Sequence, residues 1–162
     1  MRFRICLMVL IFATGLHAQS RRVSPNPKPS EPVTFAELTV KQMFDEANGY
    51  NKLKFAEYET RKVAYSERLR LQTEREQRQM AAKYAAIAAT RTGLTTDDLY
   101  HLGLLHWIAE NLDGTSEVLR RYIEATGATA EKAQTARSII AVIAAKQKKF
   151  DEALKYLAEY SK

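Results

Sequence analysis

Cysteine is almost missing from this chain: its 162 residues hold one, Cys6, inside an N-terminal apolar run that is expected to be removed. A single thiol forms no internal disulfide. Without Cys6 the remainder also offers no thiolate nucleophile and no cysteine-ligated metal. Proline is as narrowly confined. Pro25, Pro27, Pro29 and Pro32 cluster within a short stretch, and the sequence from Val33 to Lys162 contains none. This takes the strongest helix breaker out of most of the chain. Glycine is sparse too, at six residues, and none of it builds a phosphate-binding loop or a Gly-x-Ser-x-Gly turn, while Ser-x-x-Lys is also missing. Nucleotide and serine-nucleophile chemistry therefore have no support.

What is present divides the chain into three. Residues 1–18 read as a signal peptide: Arg2 and Arg4, an apolar run from Ile5 to Leu16, and the small Ala18 before Gln19. The run is too short for a membrane span of roughly 20 residues. Residues 19–33 form a Pro/Ser-rich extended linker. Residues 34–162 are rich in Ala, Glu, Lys, Leu, Arg and Gln, without the short alternating runs of strands, so an all-α domain is expected. Loss of Arg2 and Arg4 lowers the net charge from +6 to +4. The remaining charges of both signs are interleaved, which describes a solvated surface with at most a weak pull toward anionic polymers, and no nucleic-acid partner is expected. Nor is a stable membrane anchor expected once the signal is removed.

Capping residues and glycines predict about six helices. The first starts near Thr34 and passes through Gly49 to about Arg61. Ser66 with Glu67 caps a second, ending before Gly93, although one long helix from Tyr50 to Thr90 fits the same residues. Thr95 with Asp98, or Thr96 with Asp97 in the first turn, opens a third, which stops at Asp113-Gly114. Thr115 or Ser116 caps a fourth that ends at Gly127. Thr129 starts a fifth to about Gln147, and the sixth covers Asp151 to Tyr160. Connections of two to five residues make the last four helices two successive antiparallel hairpins, 96–126 and 129–161. Leu112 and Phe150 hold equivalent places in the two, a spacing somewhat longer than that of a regular tetratricopeptide unit.

At Leu102-Gly103 and Phe150-Asp151-Glu152-Ala153-Leu154-Lys155-Tyr156 the chain resembles a degenerate tetratricopeptide repeat over residues 96–160. The resemblance implies a right-handed helical solenoid in which Leu102, Gly103, Phe150, Ala153 and Leu154 pack the repeat. It departs from the family in lacking the closing proline, near whose place Gly127 stands, and in carrying Thr115 where alanine is usual. The order of signal, proline-rich spacer, charged helical stretch Lys52–Arg91 and Tyr100-His101-Leu102-Gly103-Leu104-Leu105 is also similar to the N-terminal helical region of exported bacterial thioredoxin-like proteins. That similarity implies a periplasmic or extracellular location. It places any redox chemistry in a Cys-x-x-Cys domain that this sequence does not contain.

Candidate chemistry is thin. His101 and His106 lie about 140° apart on a helix and cannot easily share an ion. His106 and Glu110 are four residues apart, but two ligands make a poor zinc site, so no metal or cofactor is expected. Glu67 to Arg78 mixes both signs, with Glu74 and Arg78 spaced to pair. A coiled-coil seam through Tyr65, Leu69, Met80, Tyr84 and Ile87 is interrupted by polar residues 72–79. Trp107, the only tryptophan, joins Tyr100, Leu104 and Leu105 in an aromatic-aliphatic group that either fills the core or anchors a partner. Tyr100, Leu104 and Trp107 are the candidate partner-binding residues, for another protein or a second copy of the chain. The expected function is a non-catalytic interaction or scaffolding module. The exported protein is expected to begin at Gln19. Intact-mass spectrometry checks this, and a chain that still carries Arg2 and Arg4 would refute cleavage.

Overall fold

Thr39 shows how local chemistry sets the helix ends. Its hydroxyl accepts from the Gln42 amide at 3.1 Å, and Gln42 Oε1 accepts from the Thr39 amide at 2.8 Å, a reciprocal cap that starts the first helix at Val40 rather than near Thr34. The computed structural model describes residues 38–125 and 129–160; the expected signal peptide, the expected linker, Gly127 and Ser161 lie outside them. Among the described residues the chain is all-α, with α1 Val40–Thr60, α2 Glu67–Ala89, α3 Thr96–Ile108, α4 Leu112–Glu124, α5 Ala130–Lys146 and α6 Phe150–Tyr160. None of these helices is long and apolar enough to cross a membrane.

The break between α1 and α2 is real, with Ser66 capping the Leu69 amide, so the single long helix is excluded. Thr95 and Asp98 form the expected reciprocal cap on α3, and Thr129 caps α5. The turn after α3 differs from expectation. The helix ends at Ile108, Glu110 takes a left-handed φ of 59°, and Asn111, not Thr115 or Ser116, caps α4 by accepting from the Gly114 amide at 3.0 Å. Asp113-Gly114 is thus the first turn of a helix and not a stop. Glycine fits there because a Cβ on Gly114 would come within 2.8 Å of Asn111 Nδ2 and 3.0 Å of His106 Nδ1.

Consecutive helices pack as three hairpins, and α3 also packs on α1. The α1–α2 hairpin is antiparallel and polar along one seam: Tyr84 donates to Glu46 at 2.6 Å, Tyr50 to Glu76 at 2.8 Å and Asn51 to Gln77 at 2.7 Å. Burial, reinforced by the carboxylate of Glu76, pushes the Tyr50 hydroxyl up to about 12, so it stays a donor throughout the physiological range. Elsewhere the core is mainly apolar, with His101, Thr115 and Ser116 as its buried polar members. Leu105, Leu119 and Ile140 are fully buried, each contributing about 1.5–3 kcal/mol relative to exposure. Alanines 81, 85 and 88 of α2 and 133, 136 and 144 of α5 keep the helices close.

Of the residues expected to pack the hairpins, Leu102, Gly103 and Ala153 are buried. Phe150 and Leu154 are exposed instead, because α6 turns its Ala153, Tyr156 and Glu159 side inward. Gly103 marks the tightest approach. A Cβ built there would lie 2.7 Å from Leu119 Cγ and closer still to Cδ2, whereas one on Gly49, in the middle of α1, would meet nothing within 4 Å. Gly49→Ala is therefore expected to stabilise the protein by about 0.5–1 kcal/mol. Gly103→Ala should destabilise it by about 1–3 kcal/mol despite the same gain in helix propensity. Denaturant unfolding of the two variants compares them directly, and equal signs would refute the packing argument.

Candidate partner-binding cleft

Tyr100, Leu104 and Trp107 recur at helical spacing on α3, and all three are half-buried. Their side of α3 faces α5. Tyr100 lies between the Tyr122 ring, 5.2 Å away between centroids, and Lys132 Nζ, 5.2 Å from its own centroid. At the other end of the helix Lys146 Nζ stands 5.3 Å from the Trp107 ring. The two helices thus run parallel, with a lysine of α5 over each aromatic ring of α3. Cation–π contacts of this kind contribute about 0.5–1 kcal/mol each at partly exposed sites. Lys132 is fixed further by an ion pair with Asp97, which holds the Asp97 carboxyl below and the Lys132 ammonium above their usual ranges.

Trp107 has a second neighbourhood. It lines an open cleft of about 530 Å³ with Asn48 and Asn51 of α1, Gln77 and Arg78 of α2, and Lys146 of α5. Glu110 also lines it and accepts from Arg78 Nη1 at 3.2 Å. The expected Glu74–Arg78 pair is replaced: Glu74 pairs with Arg70, one turn earlier, leaving Arg78 to bridge α2 to the α3–α4 turn. The cleft therefore offers an indole, the carboxamide of Asn48, those of Asn51 and Gln77 bonded to one another, and charges of both signs from Arg78, Lys146, Glu74 and Glu110. Carboxamides both donate and accept, so they match a peptide main chain.

No family model, curated protein or solved structure matches the chain. Function therefore rests on this geometry alone.

The histidines serve the fold. His101 is buried, its Nδ1 donates to the Asp97 carbonyl at 2.8 Å, and its ring packs 5.5 Å from that of Phe44 in α1. His106 Nδ1 meets Asn111 Nδ2 at 3.2 Å, while Glu110, the other half of the considered metal pair, turns to Arg78. Among the described residues no three His, Asp or Glu side chains converge on one point. Asn48, Asn51, Gln77 and Lys146 carry no direct functional sign in the sequence. The one available signal is the i, i+3 spacing of Asn48 and Asn51 on a helix whose other polar residues are mostly charged.

Burial holds the His106 pKa below its ordinary 6.5, opposed in part by Glu117. The folded state disfavours the imidazolium, so the unfolded chain takes up this proton first as pH falls. The contribution is fully present above about pH 7 and is lost as pH drops through the unfolded value toward the lower folded one. Melting temperatures of wild type and His106→Gln from about pH 7.5 to 5 should converge toward acid. Parallel curves would show that His106 does not supply this dependence.

Proposed function

We propose that this is an exported, non-catalytic module of helical hairpins, in the manner of a degenerate tetratricopeptide repeat, that binds another protein. The cleft at Trp107 takes an extended segment of that partner. The observation that carries the reading is the convergence of five helices on one concave surface lined by an aromatic ring, amide side chains and charged groups of both signs. Pockets of this composition anchor a partner through the aromatic residue and fix its orientation through a few polar groups. Lys146 favours an acidic group on the segment and Asn48 suits its main chain, while Arg78, paired with Glu110, and Asn51 and Gln77, bonded to each other, form the wall. Leu104 is half-buried and does not line the cleft.

The experiment is affinity capture from the exported fraction with wild-type bait and with Trp107→Ala, Arg78→Ala and Trp107→Ala/Leu104→Ala baits of confirmed helicity. A partner retained by wild type is expected to be lost or weakened by about tenfold or more with Trp107→Ala, the effect of removing an interface anchor of about 1.4 kcal/mol or more. Equal retention by the folded Trp107→Ala/Leu104→Ala bait would overturn this binding surface.

A further inference from the structure

The second helices of the last two hairpins can be laid on one another by placing Leu112 on Phe150: each begins its helix, and the left-handed residues Glu110 and Lys148 precede them by the same step. Under this overlay Ser116, Leu119 and Tyr122 of α4 correspond to Leu154, Leu157 and Tyr160 of α6. The first three are 7%, 0% and 1% exposed; the second three are 63%, 49% and 47% exposed. The cause is a missing neighbour. Helix α4 lies between α3 and α5, whereas α6 packs on α5 and meets α4 only at its edge, where Arg120 pairs with Glu152 and donates to Tyr156, and among the described residues no helix is seen to cover its Phe150, Leu154 and Leu157 side. Yet the α6 residues are no less apolar. Phe150, itself 62% exposed, extends them into a stripe at positions i, i+4 and i+7 with Leu154 and Leu157.

We infer that this stripe of α6 pairs with the α6 of a second copy of the chain, antiparallel and about a two-fold axis near Leu154. The pattern of residues favours this occupant because it is self-complementary. In that arrangement Phe150 of each copy meets Leu157 of the partner subunit, and the two Leu154 side chains meet at the axis. Asp151 and Lys155, both exposed and both on the same flank of the stripe, are then brought opposite each other across the axis. Each acid faces a lysine of the other copy, twice by symmetry, as an isologous interface requires. A parallel pairing would set this flank against the opposite flank of the other copy and lose these contacts. The helix has only 11 residues, so the contact is smaller than the roughly 1,200 Å² of a standard interface and the dimer is a weak one. This surface is separate from the Trp107 cleft, and the inference stands or falls independently of the proposed partner.

Sedimentation velocity of the purified chain from about 1 to 300 µM tests it, with a dimer expected to form at tens of micromolar. Leu154→Glu, at an exposed position that leaves the fold intact by circular dichroism, is expected to weaken dimerisation at least tenfold. Asp151→Lys should weaken it by roughly three- to tenfold, and the double exchange Asp151→Lys/Lys155→Asp should restore it, a rescue that only antiparallel pairing predicts. Trp107→Ala is expected to leave the dimer unchanged. A monomer at every concentration would overturn the inference, including one whose α6 instead binds a peptide of residues 129–147 added in trans. A dimer indifferent to Leu154→Glu, or one that the charge exchange does not rescue, would overturn it as well.

Discussion

The approach of Leu119 to the bare Cα of Gly103 sets the separation of α3 and α4, and α3 is the helix on which the other packing depends. Leu99, His101, Leu102, Gly103 and Leu105 are all buried, so α3 is covered on nearly every side. It touches α1 through the His101–Phe44 contact, α4 through Gly103 and Tyr100, and α5 through the lysines over its aromatic rings. A larger residue at 103 would push α4 outward, and α5, which packs on α4, would move with it. The positions of Lys132 and Lys146 over Tyr100 and Trp107 are therefore consequences of one missing side chain.

Two kinds of seam meet at this helix. The α1–α2 hairpin is joined by hydrogen bonds from Tyr50, Asn51 and Tyr84, with Gln77 also donating to the Ala47 carbonyl at 2.9 Å. The hairpins that follow are joined mainly by alanine, leucine and isoleucine. Directional bonds fix a helix's register along its axis, whereas alanine faces fix mainly how close it comes. The cleft sits where the two kinds meet, which is why amide groups from the first hairpin stand opposite the indole of α3 and the ammonium of α5.

The helical class and most helix starts were legible in the sequence because they are local. Thr95, Thr129 and Ser66 cap helices through bonds to residues three positions on, and such bonds need no tertiary information. The ends of α1, α5 and α6 lie within a residue of Arg61, Gln147 and Tyr160, whereas that of α3 falls well before Asp113-Gly114. The three hairpin turns are each closed by a non-glycine residue in the left-handed region, Lys62, Glu110 and Lys148, followed by an amide that reaches back to the third-last helical carbonyl. A left-handed conformation costs about 1–2 kcal/mol in a residue with a Cβ, so composition favours glycine there, and the nearest glycine drew the boundary to Asp113-Gly114. Tertiary packing imposes the turn three residues earlier. The cleft was largely illegible for a related reason: its residues come from five helices, and no spacing along the chain records that Asn48 and Lys146 share a surface.

The repeat spacing explains which aromatic residue is left for a partner. From the α3–α4 and α5–α6 turns onward the two hairpins match with Leu112 on Phe150, but the helix caps Thr95 and Thr129 stand four residues closer together than that pair. The difference is one additional turn at the start of α5, and Lys132 lies in it. That turn carries the ammonium over Tyr100 and into its pair with Asp97, closing the N-terminal end of the α3 aromatic face. At the C-terminal end Lys146, the last residue of α5, stands over Trp107, and the indole keeps one side on the cleft. An insertion of one helical turn therefore converts two similar aromatic positions into a structural residue and an accessible one.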